Sequence, residues 1–329
     1  MLRILHDTKY DFIRWWKVMA AITVVFILAG LGSLAYKAPN YSIEFTGGTL
    51  MQLEFVQPPD VGLIRSTLDE AGIRGGEIQQ FGTNREFTVR AQDASEVASQ
   101  ATGAENVAVR IEQVLKKRFG ENSLKVVRTE AVGPRVGSEL RRGAVIAILL
   151  SFLITLVYLS IRFEWRFAAA AVIATGHDVF TTIAFLKLMH LEISLTVVAG
   201  LLTVLGYSLN DTIIIFDRVR ENLRKGRKES MYDTLNRSIN ETLPRSVLTH
   251  VTTFVAVMAL LIFAGEVIRP FAWVMAFGIV TGTFSSIYVA APILLWIERK
   301  WPRKAGARQS SSTATPTSRT RRSQATATR

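Results

Sequence analysis

Gly206-Tyr207-Ser208-Leu209-Asn210-Asp211-Thr212-Ile213-Ile214-Ile215-Phe216-Asp217-Arg218-Val219-Arg220-Glu221-Asn222 sets an Asn-Asp pair inside an apolar segment long enough to cross a bilayer, before that segment ends in charge. A carboxylate at the bilayer centre costs about 2.5–3.5 kcal/mol even on insertion scales, so such a residue normally faces a bundle interior or a wet cavity and is a functional candidate by default. The plainer alternative is a helix-end carboxylate reaching back to water. Asp211 lies several residues inside the run, and a carboxylate snorkels only about a turn, so the functional reading is the stronger.

The remainder of the chain has the same character. Its 329 residues are 49% hydrophobic and 20% charged, with mean hydropathy +0.25, which suits a polytopic membrane protein better than a soluble enzyme. A membrane-spanning helix needs about 20 apolar residues, and six such runs occur, at 18–36, 143–161, 167–186, 193–216, 247–264 and 271–297. The first follows Arg14 and Lys17 and ends in small residues, as a signal peptide does, but it exceeds the usual apolar core of about 7–15 residues and five more spans follow. It reads as an uncleaved first helix.

Lys and Arg of short loops mark the cytoplasmic side. Arg162 and Arg166 follow the second span, Arg218 to Arg237 follow the fourth, and Arg299 to Lys304 follow the sixth, whereas the opposite links are poor in basic residues. Residues 1–17 and 299–329 are therefore expected inside and the long loop 37–139 outside, which in a two-membrane bacterium is the periplasm.

That loop alone has the size of a soluble domain. Tyr41 to Val56 reads as a strand with Ile43, Phe45, Leu53 and Phe55 in period two, interrupted by a bulge or bend at Gly47-Gly48. Pro58-Pro59-Asp60 opens a helix that stops at Gly72; Glu77 to Phe81 and Glu86 to Arg90 form a hairpin; a second helix covers Glu105 to Phe119, and Leu124 to Val132 closes as a strand. Ala91 to Gly103 has no periodicity and reads as a surface loop. The order βαββαβ is ferredoxin-like. The expected fold is thus a membrane α-helical bundle of six transmembrane helices carrying a small α+β outer domain, which reads as a binding or lever module because it holds no catalytic grouping.

Further polar residues lie within the apolar runs. His177-Asp178 sits near the middle of the third span, and a second mid-membrane carboxylate needs a partner or a proton. His250, in the fifth, reads as a hydrogen-bonded packing residue. Arg245 follows Pro244 at the entrance to the fifth span and is the nearest plausible cation for Asp211, with positive-inside anchoring as its plainer role. Gly200, Gly206, Gly278 and Gly282 fit close helix packing.

The quoted stretch also resembles the SecD/SecF family of bacterial protein-export membrane proteins, half-sized relatives of the proton-driven RND exporters. About a dozen residue types fall in the family's order, and the likeness covers roughly residues 10 to 300. Ile43-Glu44-Phe45-Thr46-Gly47-Gly48-Thr49 is similar to the family's Asp-Phe-x-Gly-Gly-Thr signature, with Glu44 where Asp is usual. The resemblance implies an RND-like half-bundle in the bacterial inner membrane, coupled to the proton motive force and promoting late, ATP-independent completion of translocation. It implies proton-coupling roles for Asp211, Arg245, Asp178, His177 and Asn210, and structural roles for Glu44, Gly47, Gly48, Thr49, Asp217 and Arg218. The partners it implies are SecD, the SecYEG channel, the translocating preprotein, and YajC or YidC as further candidates.

Several chemistries are absent from the sequence. There is no cysteine, no Gly-x-x-x-x-Gly-Lys-Ser/Thr loop, no His-Glu-x-x-His and no Gly-x-Ser-x-Gly, so thiol, ATP-driven, zinc and serine-hydrolase functions drop out, and no cofactor or metal is expected of a chain that is not an enzyme. The net charge of +12 needs no nucleic acid: beyond Glu298 lie nine basic residues and no acid in a Ser/Thr/Ala-rich segment, read as a disordered tail that adsorbs to anionic lipid. The rival reading, a proton-coupled RND-type exporter of lipids or small molecules, predicts about twelve spans and two outer domains in one chain.

Overall fold

The computed structural model describes residues 8–36, 38–73, 77–91, 102–225, 229–265 and 267–302. The basic tail and most of the expected surface loop lie outside the described residues. A 3₁₀ turn at Ile13–Trp15 leads into α1 (Trp16–Leu34), and a short strap then runs to α2 (Ile43–Thr46) and β1 (Gly48–Phe55). There follow α3 (Val61–Glu70), β2 (Glu77–Gln80), β3 (Glu86–Ala91), α4 (Thr102–Phe119) and β4 (Leu124–Val132), and then the helices α5 (Pro134–Arg162), α6 (Trp165–Leu188), α7 (Leu195–Arg224), α8 (Met231–Phe263), α9 (Arg269–Ser285) and α10 (Ala291–Lys300). A π-helical turn, Ser286–Ala290, joins the last two. Among the described residues six stretches are long and apolar enough to span a membrane, α9 to α10 acting as one.

The outer domain is a four-stranded antiparallel sheet in the order β2-β3-β1-β4. Met51 and Leu53 on β1 face Val89 and Phe87 on β3, and that side of the sheet closes over Ile64 and Leu68 of α3 and Ile111 and Leu115 of α4. Asp60 caps α3 by accepting the Gly62 amide at 2.8 Å, and Gly72 ends it with φ +76°. The ferredoxin-like expectation is met in element order and pairing.

The strand expected to open at Tyr41 is corrected. Ile43–Thr46 is not the start of a strand but a single helical turn, and the strand begins after the glycine pair, where Gly47 (φ +74°) and Gly48 (φ +121°) take backbone angles closed to other residues. Ile43 and Phe45 are both buried because this turn is wedged between the sheet and α5. Two apolar residues at spacing two cannot separate a half-buried strand from a turn enclosed on several sides.

In the bundle α6, α7 and α9 form the interior, while α1 and α5 present Leu28, Leu149, Leu153 and Ile154 outward, as lipid-facing helices do. Close approach rests on small residues. A Cβ added at Gly278 would fall 2.2 Å from a Val204 methyl, one at Gly282 would fall 3.0 Å from Ser208 Cβ, and Gly200 abuts Val274. Gly206 departs from expectation: a Cβ there meets nothing within 4 Å. The fourth and fifth helices run well past their apolar runs, and α8 carries Pro244 inside it, where the missing amide frees the Asn240 carbonyl.

Candidate functional site: two buried carboxylates in the bundle

Asp178 is fully buried on α6. Its Oδ2 accepts hydrogen bonds from Ser208 Oγ on α7 (2.5 Å) and Ser285 Oγ on α9 (2.8 Å), and its Oδ1 meets His177 Nδ1 at 3.1 Å. Three helices thus converge on one carboxylate with both oxygens occupied. The next serine, Ser286, meets Thr212 of α7 at 2.8 Å. The π-helical turn starts at Ser286, and Pro292, whose ring disfavours regular helix at the preceding turn, follows it. Such turns concentrate at functional sites.

Asp211, three residues beyond Ser208 and so on a neighbouring face of α7, is 2% exposed. Ser246 Oγ of α8 donates to its Oδ1, while its Oδ2 has no hydrogen-bond partner among the described residues. The same serine's carbonyl accepts from His250 Nδ1 at 2.5 Å, which fixes the imidazole proton on Nδ1; Nε2 is buried and unpartnered. Tyr207 packs edge-on against that ring and donates to the Thr249 carbonyl at 3.2 Å. His250 stands one helical turn beyond Ser246 on α8. A buried, half-satisfied carboxylate beside an unpartnered imidazole nitrogen is an unusual expense in a packed bundle.

Toward the far end of the α7–α8 seam, Arg218 Nε donates to Glu241 at 2.6 Å and its Nη1 to Glu221 at 2.6 Å, and Asn222 also donates to Glu241. A polar cavity of about 750 Å³ opens there, lined by Asp11, Arg218, Asn236, Asn240, Glu241 and Pro244. It reaches to within two residues of Ser246. Asp217 pairs with Arg220 at 3.7 Å near the surface.

At the opposite end, the strap is stitched to the start of α7. Ile193 N–H donates to the Asn40 carbonyl (2.7 Å) and Ser42 N–H to the Ile193 carbonyl (2.9 Å). Glu44 accepts the Leu195 amide at 2.6 Å and the Ser42 hydroxyl at 3.1 Å, so it caps the first turn of α7 from another part of the chain. Arg90 of β3 bonds the Tyr41 carbonyl and pairs with Glu192. Burial outweighs Arg90 and, with Glu77 and Glu44 nearby, moves the Glu192 carboxyl above its ordinary value. Thr49 is buried in β1, and Gly137 of α5 lies against Phe45 and Gly47.

The family model described as the C-terminal region of the protein export membrane proteins SecD/SecF matches residues 111–300, and the SecD/SecF GG motif matches residues 33–59. The chain belongs to the SecD/SecF family. The protein translocase subunit SecF of Gemmatimonas aurantiaca is 62% identical over 305 residues, covering 92% of this chain and 91% of that one, and SecF of Escherichia coli O157:H7 is 37% identical over 296 residues, covering 90% of each. The crystal structure of SecDF from Thermus thermophilus superposes with a TM-score of 0.80 at 34% identity; it covers 91% of this chain, which spans only 40% of the SecDF chain. Within the SecD/SecF family the chain falls with the SecF subunits, multi-pass inner-membrane components of the translocase.

The structure brings together Asp178 with His177 and seats Asp211 in a separate group. It does not pair Asp211 with Arg245. That arginine is exposed, and the contact falls to Ser246, because one step along a helix turns a side chain through about 100°. Asn210 is likewise exposed on the outer face of α7. Ser208, Ser246, Ser285 and Glu192 were not singled out from sequence; serines in apolar helices commonly bond their own preceding turn, so residue type alone does not mark them.

Proposed function

We propose that this SecD/SecF-family chain works with a separate SecD beside SecYEG and uses the proton motive force to complete translocation after the ATP-driven stage. The reading places both termini in the cytoplasm and residues 37–139 in the periplasm. Asp211 is the proton-binding group, with Ser246 as its hydrogen-bond partner and His250 one helical turn beyond, and Asp178 supports the same helix through Ser208. The observation that carries the proposal is the buried Asp211 carboxylate with one oxygen bonded and one open.

Protonation there changes the charge inside the α7–α8 seam. A buried carboxylate tolerates its charge only with compensation, so a proton arriving or leaving favours different packings of the two helices. One charge crossing 100 mV yields about 2.3 kcal/mol, enough to shift a two-state equilibrium roughly fiftyfold. Since Glu44 and the strap fasten the start of α7 to the GG turn and β1, a movement of α7 reaches the outer domain, which would hold or release the emerging preprotein. The polar cavity at the far end of the seam supplies a wet approach from the cytoplasm. Thr203, Gly206 and Asn210, exposed at three- and four-residue spacing on α7, suit contact with SecD, as does the more than doubled length of the SecDF chain that this one resembles.

The test is export into inverted inner-membrane vesicles carrying SecD and this chain. Asp211→Asn is expected to assemble normally and to lose the stimulation of late export by an imposed proton gradient. Undiminished stimulation in that variant would refute the proposal.

A further inference from the structure

We infer that the cleft between α1 and α5, on the side of the outer domain, is a binding site for one anionic phospholipid. Both helices pack on α6, and a cavity of about 340 Å³ lies where α1, α5, α6 and the start of α7 surround the strap. Its walls are mostly apolar, among them Val145, Ile148, Ile183 and Leu201. Its charged lining is of one sign: Arg141 and Lys187 are present, and no acidic residue is found among the described lining residues.

The two cations both stand at the ends of apolar helical runs. Arg141 stands two residues before the apolar run of α5, Lys187 stands one residue from the end of α6, and Leu34, the last residue of α1, lines the same space. Lys187 is fixed in place by donating to the Ala38 carbonyl of the strap at 3.0 Å. Basic side chains at the end of the hydrocarbon and an apolar slot beneath them match a phosphate headgroup with an acyl chain below it. A water-filled slot would leave apolar walls wet inside the bilayer, whereas an acyl chain satisfies them.

His190 adds an independent observation. It closes α6 with φ +54°, a left-handed cap at which glycine is the least strained residue, and Leu191 N–H returns to the Leu186 carbonyl at 2.9 Å across it. The chain instead keeps a histidine there, and that residue lines the cavity. Strained non-glycine residues cluster at ligand clamps.

The assembled complex of SecD and this chain, purified in mild detergent, is to be titrated with phosphatidylglycerol or phosphatidylcholine micelles, with retained lipid counted by native mass spectrometry. One phosphatidylglycerol per chain is expected in preference to phosphatidylcholine. Arg141→Gln is expected to weaken retention of phosphatidylglycerol about fivefold, the equivalent of about 1 kcal/mol for one basic residue. Ile148→Trp, which fills the slot, is expected to abolish retention, while Leu153→Trp on the outer, exposed side of α5 leaves it unchanged. Equal retention of the two lipids, displacement by millimolar inorganic phosphate, or retention unaffected by Ile148→Trp in a folded complex would each overturn the inference.

Discussion

Asp211 and Arg245 make different demands on the bundle, and their neighbours separate them. Ser246→Ala removes the donor to Asp211 Oδ1 and leaves a buried carboxylate without a bond, which costs about 1–3 kcal/mol. Arg245→Gln, at an exposed site without an ion pair to Asp211, is expected to change stability by less than about 0.5 kcal/mol. Thermal unfolding of the two purified variants measures the contrast; equal destabilisation would contradict the assignment of Ser246. Asp211 was legible because an acid several residues inside an apolar run has few ordinary explanations. Its true partner was not, since the helix phase of Pro244, Arg245 and Ser246 relative to α7 is set by packing that the sequence does not state.

At the scale of elements, two joints carry the account. The α7–α9 contact depends on backbone approach at Gly278, so Gly278→Ala is expected to lower stability by about 1–3 kcal/mol through overpacking. Adding Val204→Ala should restore most of the loss, and failure of that rescue would place the strain elsewhere. Gly278 and Gly206 looked alike in sequence; only the neighbouring helix distinguishes a glycine pressed on a valine from one facing open space.

The second joint, between the strap and the α6–α7 link, is held by Glu44, Arg90 and Glu192. Because the Glu192 carboxyl titrates above its ordinary 4.5, its contribution is present at low pH and is lost as pH rises through the raised value. Amide exchange of residues 191–195 should therefore quicken as pH climbs above the ordinary glutamate range, after correction for intrinsic exchange. Glu192→Gln should flatten that dependence; an unchanged profile in the variant would assign it to another group. Here the sequence showed the glycine pair but misread the turn before it, since a four-residue helix leaves no period to recognise.

For the whole molecule, the apolar runs and the βαββαβ order were legible because each is a long-range pattern. The spans have no shorter alternative in lipid, and the outer sheet alternates buried and partly buried residues over most of its central strands. What the pattern could not carry is how the two parts are joined: the strap's hydrogen bonds to Ile193 are made by backbone, which has no sequence signature. The central claim is that Asp211 exchanges a proton as the gradient changes. Infrared difference spectroscopy on the SecD-containing complex in liposomes, with a proton gradient imposed and collapsed, tests it most directly. The account predicts a carboxylic-acid band that appears and disappears with the gradient and is missing in Asp211→Asn; the same band persisting in that variant, or no change in the native complex, would contradict it.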